Sequence, residues 1–366
     1  MRVDSHMVRF RRSPFVVTYW LGPVLVFENY ATRQRSAGNA LVAEVLGFCG
    51  DGKSFPELRE KFPELGERSL RKGIRHLLMN SLLEVCGMES EASDRKWAGW
   101  EHWNPAAGFF HCATKDPEFH LNEGGDFRGL RKIARVRPLP PRVKKYARAT
   151  SVPLPKVDAA AEFVRVLQER RTWRQFSTKT VKQETLAQLL WLSFGVQGWA
   201  KIPGVGRLVL RTSPSGGAMH PMEAYVFIRN VRGLKAGIYH YNASEHQLEL
   251  LRKGTGKAEI ATMLAGQHWA GEAAFVVFLT AVFGRTQWKY EHPRAYRVVL
   301  AEAGHLGQTF CLTATWLGLA PFCTMALADT KIERALGIDG VGESVLYALG
   351  AGEKPRQKST AERVRE

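Results

Sequence analysis

Two stretches of the chain combine residue types that could hold a flat, anionic ligand. Glu169-Arg170-Arg171-Thr172-Trp173-Arg174-Gln175-Phe176 places three guanidiniums within five residues at the end of a helical pattern. A polyanion would relieve their mutual repulsion, and the planar fork of arginine suits phosphate oxygens; a solvated charge cluster is the plainer reading. Downstream, Arg211-Thr-Ser-Pro-Ser-Gly-Gly-Ala-Met-His-Pro-Met-Glu-Ala-Tyr225 runs into an apolar segment. Pro214-Ser215-Gly216-Gly217 permits close backbone approach to a flat ligand, because glycine lacks a Cβ and tolerates unusual dihedrals; taken alone it also reads as a tight turn. His220, His240 and His305 lie near such segments without metal-ligand spacing and fit structural roles better than catalytic ones.

Two nucleotide signatures do not hold up. Gly47-Phe-Cys-Gly-Asp-Gly52-Lys53-Ser54 matches the spacing of a phosphate-binding loop. That loop needs a strand before it and a helix directly after it, whereas Leu41–Phe48 has helical spacing and Ser54-Phe-Pro56 reads as a helix cap. Gly204-Val-Gly206 and Gly350-Ala-Gly352 are bare G-x-G pairs with no helix behind them, so a nicotinamide dinucleotide on a Rossmann fold is not expected. Any redox carrier must be held another way.

The elements that position these residues belong to a chain of 366 residues with 52 Lys plus Arg against 35 Asp plus Glu, a net charge of +17. That length suggests two domains, and 45% hydrophobic with 24% charged residues excludes disordered and collagen-like architectures. Cys49, Cys86, Cys112, Cys311 and Cys323 are odd in number, dispersed, and form no C-x-x-C pair. Neither a disulfide framework nor a structural zinc is expected, which fits a reducing, cytoplasmic compartment. No secretory signal is visible at the N-terminus. Ala303–Ala328 carries no Asp, Glu, Lys or Arg and could span a bilayer by length, but Gly318-Leu-Ala-Pro321 reads as a helix stop followed by a new element. A buried helix and then a buried strand is the expectation.

Along the chain, Phe15–Asn29 alternates around Gly22-Pro23 as a small hairpin, and Asn39–Phe48, Phe55–Phe62 and Glu67–Leu83 have helical spacing. Together these predict a winged-helix-like N-terminal domain over residues 1–125, suited to peptide recognition or structural support. Arg68, Arg71, Lys72 and Arg75 on its third helix read as a solvated face rather than a DNA-reading surface. Residues 126–157 form a basic, proline-containing connector, with ten basic and no acidic residues between Phe127 and Val157. The remaining domain, residues 158–366, mixes helical patterns (Ala159–Glu169, Gln183–Trp199, Lys257–Leu264, Ala295–Leu317) with strand-like runs (Ala224–Ile228, Ile238–Tyr241, Ala274–Phe283, Val345–Leu349), and the fold class is α+β.

Arg-Arg-Thr-x-Arg-x-Phe at 170–176, Arg-Thr-Ser-Pro-Ser-Gly-Gly-Ala-x-His-Pro at 211–221 and Gly-Ile-Tyr-His-Tyr at 237–241 resemble the nitroreductase superfamily, and within it the SagB-type, McbC-like azoline dehydrogenases. Trp288-Lys289-Tyr290, Tyr296-Arg297 and Ala303-Gly-His-Leu-Gly-Gln308 extend the resemblance over about residues 160–355, with a weaker echo in Phe109-Phe-His-Cys-Ala-Thr114. The resemblance implies a nitroreductase-like α+β fold, a homodimer, and FMN at the subunit interface. It implies that Arg170, Arg171, Thr172 and Arg174 meet the FMN phosphate or ribityl chain, joined by Lys354 and Arg356, while Pro214, Ser215, Gly216 and Gly217 lie along the flavin ring. It makes Lys289 and Tyr290 the catalytic pair; without it they read as a surface lysine and a half-buried aromatic. Met219 stands where many relatives carry a polar residue, leaving its substrate contacts open.

The implied activity is FMN-dependent oxidation of thiazoline or oxazoline rings to thiazole or oxazole in a ribosomally made, post-translationally modified peptide, with molecular oxygen as final acceptor. The implied partners are that peptide and a cyclodehydratase, with no nucleic acid or membrane among them. The alternatives are a flavin oxidase acting on carrier-bound nonribosomal azolines or another small biosynthetic intermediate, an NAD(P)H-dependent nitroreductase, or a winged-helix regulatory protein that binds peptide or DNA without turnover.

Overall fold

The computed structural model describes residues 8–118, 135–136, 161–203 and 206–355; nearly all of the 126–157 connector, and Arg356, lie outside the described residues. The N-terminal region starts with strands β1 (Arg9–Arg12), β2 (Val16–Leu21), β3 (Val24–Asn29) and β4 (Gln34–Gly38). Leu21 pairs with Val24 across the two-residue Gly22-Pro23 turn, as the alternation predicts. Helix α1 (Ala40–Phe48), strand β5 (Lys53–Ser54), helices α2 (Phe55–Lys61) and α3 (Glu67–Met79) and strand β6 (Leu83–Val85) follow. Ser54 and Glu57 form a reciprocal capping box that starts α2. Strands β5, β1 and β6 make one small sheet and β2, β3 and β4 another. Phe10, Leu46, Leu58, Leu70, Ile74 and Leu77 build a core between helices and sheet. Gly47 lies inside α1 and Lys53 pairs with Asp51 at 2.9 Å, so the phosphate-loop spacing falls on a helix, a turn and a short strand.

Helices α4 (Met88–Trp97) and α5 (Ala106–Ala113) lead into a second core shared with the C-terminal half. Trp100 and Trp103 are fully buried there beside Phe283 and Tyr296. The Trp100 indole N–H donates to the Val341 carbonyl (3.1 Å) and that of Trp103 to the Tyr290 carbonyl (2.9 Å). His111 bridges the Tyr296 hydroxyl and the Gly340 carbonyl, each at 2.9 Å, and burial pushes its pKa down to about 4, so it stays neutral. Lys115 reaches Glu333 at 2.7 Å. Residues 97–116 therefore pack as part of the C-terminal core, although they fall within the 1–125 stretch.

The C-terminal half comprises α6 (Glu162–Glu169), α7 (Gln183–Phe194), β7 (Gly198–Ile202), β8 (Gly206–Leu210), β9 (Met222–Ile228), β10 (Gly237–Asn242), β11 (Gln247–Lys253), α8 (Lys257–Met263), β12 (Phe275–Val282), α9 (Phe283–Gln287), α10 (Ala295–Trp316), β13 (Leu319–Thr324), α11 (Asp329–Leu336) and β14 (Glu343–Glu353). Strands in the order β11-β10-β9-β12-β14-β13 form an antiparallel sheet. Along β12, Phe275, Val277, Leu279 and Ala281 face the core under α10, while Val276 and Phe278 face a second core beneath α8 and α11. Burial on both faces explains why this strand reads as a continuous apolar run. The helix expected over Gln183–Trp199 stops at Phe194, where Val196 turns to pair with the Ala243 carbonyl and β7 begins.

Helix α10 buries Tyr296, Val299, Ala303, Leu306, Phe310 and Ala314, a helical stripe laid on the sheet. Gly318 (φ +80°) ends it and edge strand β13 follows, with Pro321 where a missing N–H is tolerated. Among the described residues, no helix is long and apolar enough to cross a membrane. Trp100→Ala should cost about 3–5 kcal/mol of stability, the usual range for emptying an aromatic core position. Urea unfolding checks this; a loss under about 1 kcal/mol would show that the 97–116 segment does not share the core.

Candidate active site

The segment 213–216 is laid against one face of α10, one contact per residue. Ser213 Oγ meets Thr309 Oγ1 at 2.6 Å, the Pro214 carbonyl meets His305 Nδ1 at 3.3 Å, and Ser215 Oγ meets Glu302 Oε2 at 2.5 Å. Gly216 lies against Val298, whose Cγ1 would collide with any Cβ at that position. Residues 298, 302, 305 and 309 recur at helical spacing, so a single helix face fixes the path of the turn. The chain then twists through left-handed dihedrals at Gly217 (φ +65°), Ala218 (φ +57°) and His220 (φ +45°). Two of these three residues are not glycine, which is the kind of backbone strain that persists only where surrounding structure holds it.

Lys289 and Tyr290 converge on Gly217. A Cβ there would lie 2.7 Å from both Lys289 Nζ and the Tyr290 hydroxyl, and Lys289 Nζ donates to the Gly217 carbonyl at 3.5 Å. Lys289 is exposed and Tyr290 half-buried. Their position follows from α9, which turns off the end of β12, and from the Trp103 indole that holds the Tyr290 carbonyl from behind. A flat ligand could therefore lie over Gly216-Gly217 with an amine and a phenol at its edge.

Behind the turn, Glu302 is 2% exposed, and burial pushes its carboxyl up to about 7. The His220 backbone N–H donates to Ser215 Oγ at 2.9 Å, and the His220 ring uses Nε2 on the Val209 carbonyl at 3.1 Å. That bond makes Nε2 the donor and leaves Nδ1 as an acceptor, 3.8 Å from a Glu302 Oε1 that has no hydrogen-bond partner among the described residues. Burial pushes His220 down to about 4, so its ring does not supply the missing proton. A proton on Glu302 Oε1 reconciles the two acceptors. His240 sits elsewhere, between Glu223 (3.0 Å) and Glu249 (2.8 Å).

The arginine cluster lies toward the other end of α10. Residues 173–177 run along the sheet, with Trp173 N–H donating to the Pro321 carbonyl and Ser177 N–H to the Glu353 carbonyl, each at 2.9 Å. This brings exposed Lys354, next to Glu353, to the same strap. Arg174 lies over the Trp269 ring at 5.6 Å, Arg171 donates to the Gln168 and Arg170 carbonyls, and Thr172 is exposed. Arg170 is an electrostatic neighbour of Cys311 and Cys323. Among the described residues none of these three arginines pairs with a carboxylate, which suits a phosphate. At 1.5 Å per residue, Val298 and Cys311 are about 20 Å apart along the helix. One chain thus brings Pro214, Ser215, Gly216, Gly217, Lys289 and Tyr290 together but holds Arg170, Arg171, Thr172, Arg174 and Lys354 apart from them.

The nitroreductase family profile matches residues 167–353, which contain both clusters. The chain belongs to the nitroreductase family. It is 31% identical over 148 residues to the trifolitoxin-processing protein TfxB of Rhizobium leguminosarum bv. trifolii, covering 39% of this chain and 40% of that protein. It is 30% identical over 173 residues to MJ1384 of Methanocaldococcus jannaschii, a nitroreductase by provisional name, covering 47% of this chain and 83% of that protein. It is also 26% identical to the microcin B17-processing protein McbC of Escherichia coli over 136 residues, 36% of this chain and 50% of that one. The match thus spans well under two thirds of TfxB and of McbC.

In this nitroreductase domain the residues that sequence reasoning passed over are Glu302, Arg211, Glu223 and Arg285. Glu302 carried no local signal, since a lone carboxylate on a helix reads as a solvated one. Because the folded carboxyl titrates near 7 against an ordinary 4.5, it carries no penalty while neutral in both states and destabilises as pH rises from 4.5 to about 7. Urea midpoints should therefore fall more steeply between about pH 4.5 and 7 for the wild type than for Glu302→Gln. Parallel profiles would refute the neutral carboxyl.

Proposed function

We propose that the protein is an FMN-dependent dehydrogenase that aromatises thiazoline or oxazoline rings in a ribosomally made peptide. The observation that carries this reading is the convergence of Lys289 Nζ and the Tyr290 hydroxyl on the side-chain-free backbone of Gly217. Family membership and the likeness to two proteins named for processing trifolitoxin and microcin B17 support it.

Aromatising the ring removes a proton from one ring carbon and a hydride from its neighbour. FMN, when bound, supplies the two-electron acceptor for the hydride and passes the electrons on to molecular oxygen. Lys289 is the base that takes the proton, with a bound ring or a second subunit covering a side chain exposed in the single chain. Tyr290 orients the ring. Gly216 and Gly217 allow a planar ring system to lie against the backbone, and Ser215, fixed by Glu302, keeps the turn from collapsing into that space. Arg170, Arg171, Thr172, Arg174 and Lys354 take the phosphate end, with Arg356 assigned to the same role.

The separation of the clusters supports a homodimer as the active unit, in which the arginine strap of one copy and the 214–217 turn of the other complete each site. The domain at 1–125 holds the peptide leader, and the enzyme that forms the azoline is the upstream partner.

Lys289→Ala should retain the yellow flavin and lower turnover of a thiazoline peptide by about 10²–10⁴-fold, the range for losing a positioned base. Retention of most activity removes Lys289 as base. Replacing Arg170 and Arg174 together by Gln should release FMN on gel filtration; unchanged flavin absorbance would overturn the phosphate assignment.

A further inference from the structure

A cleft of about 320 Å³ opens beside the turn, between the β7–β8 hairpin and strands β9 and β10. Trp199 and Val209 form its apolar wall, and Arg211, Glu223, His240 and Arg285 its polar one. Most of that charge is already matched. Arg285 pairs with Glu223 at 2.5 Å, and His240 lies between Glu223 and Glu249, whose hydrogen bonds hold its ring protonated, with a pKa pushed up to about 9.

Arg211 is the cation left over. Its terminal nitrogen reaches the Met222 carbonyl at 3.4 Å, and its buried Nε has no hydrogen-bond partner among the described residues. The two carboxylates that act on it form no ion pair with it: Glu223 is taken by Arg285 and His240, and Glu302 bonds Ser215 with its carboxyl pushed up by burial to about 7. Arg211, Arg285 and His240 against Glu223 and Glu249 leave a surplus of one positive charge beside an aromatic wall. A half-buried guanidinium whose buried Nε keeps an open donor is costly unless an anion meets it.

The cleft adjoins the site already described. Ala218 and Met219 line it immediately after Gly217, and Arg285, one helical turn before Lys289, donates to the His220 carbonyl at 3.0 Å. We infer that this cleft is a subsite for a carboxylate-bearing residue of the substrate, its carboxylate on Arg211 and Arg285 and its apolar carbons against Trp199 and Val209. The peptide origin of that residue rests on the proposed azoline activity; the carboxylate specificity rests on the cleft alone. The position of Met219 on the rim then fits an apolar contact, with the charge recognition supplied by the arginines.

The test titrates hippurate and its neutral isostere hippuramide into the full-length, FMN-saturated protein, following ligand saturation-transfer NMR signals. Hippurate should bind about tenfold or more tightly than hippuramide, as expected for hydrogen bonds to a charged partner. Arg211→Gln and Arg285→Gln should each bring hippurate toward the hippuramide level, Arg211→Lys should restore part of the difference, and Trp199→Ala should weaken both ligands alike. Equal binding of the two ligands, or hippurate binding that survives Arg211→Gln, overturns the site. So does stronger hippurate binding to flavin-free protein with displacement by added FMN, which would make the cleft part of the flavin cradle. A second arm compares thiazoline peptides carrying Asp or Asn before the ring. The Asp peptide should have the lower KM in the wild type and lose that advantage in Arg285→Gln, with kcat little changed. If hippurate binds as expected but neither peptide is turned over, the azoline reading fails and the carboxylate subsite stands.

Discussion

The row Val298, Glu302, His305 and Thr309 on α10 is the constraint on which the site depends. Each residue of the 213–216 segment answers to one of these positions, so the turn is shaped by the pitch of a helix rather than by its own preferences. The same helix presents Val299, Leu306 and Phe310 to the sheet on its other side. Because that stripe is locked into a close-packed core, the polar row cannot rotate or slide without disturbing it. Rigidity made in the core is thereby delivered to the backbone of Gly216 and Gly217.

The arrangement concentrates unfavourable features in a small region. Ala218 and His220 hold positive φ, Glu302 is buried with one carboxylate oxygen lacking a hydrogen bond among the described residues, and Arg211 keeps an open donor. Each costs free energy, and the surrounding packing must offset it. The sheet buried on both faces contributes one part of that. The aromatic group of Trp100, Trp103, Phe283 and Tyr296 contributes another at the corner that leads to Lys289 and Tyr290. The N-terminal region thus supports the site directly, since its Trp103 indole holds the carbonyl of Tyr290.

Periodicity made much of this fold legible. The Gly22-Pro23 hairpin, the Ser54 cap, the central strand and the uncharged stretch that divides at Gly318 into helix and strand all follow from local spacing and from proline and glycine chemistry. Two site segments, 170–176 and 211–221, stood out by composition. What stayed hidden was long-range. A carboxylate on a helix is ordinarily solvated, and nothing local distinguishes Glu302 from one that is. Trp103 and Tyr290 are 187 residues apart, so their hydrogen bond leaves no spacing signal. Nor does composition reveal that residues 97–116 share a core with the C-terminal half, because aromatic residues there suit either core.

The separation of the two clusters ties assembly to chemistry under the proposed function. A helix is stiff over about 20 Å, so a chain that places ring contacts at one end of α10 and phosphate contacts toward the other cannot fold the two together. A second copy related by a two-fold axis would present the missing half to each, and both sites would form in the same step. An exposed Lys289 fits that logic. In an isolated chain its amine faces water, while a covering surface would remove that water at the moment the ring arrives. Under that reading the site would be completed by assembly and substrate binding rather than carried ready-made by the monomer, which is consistent with a Lys289 that the single chain leaves exposed.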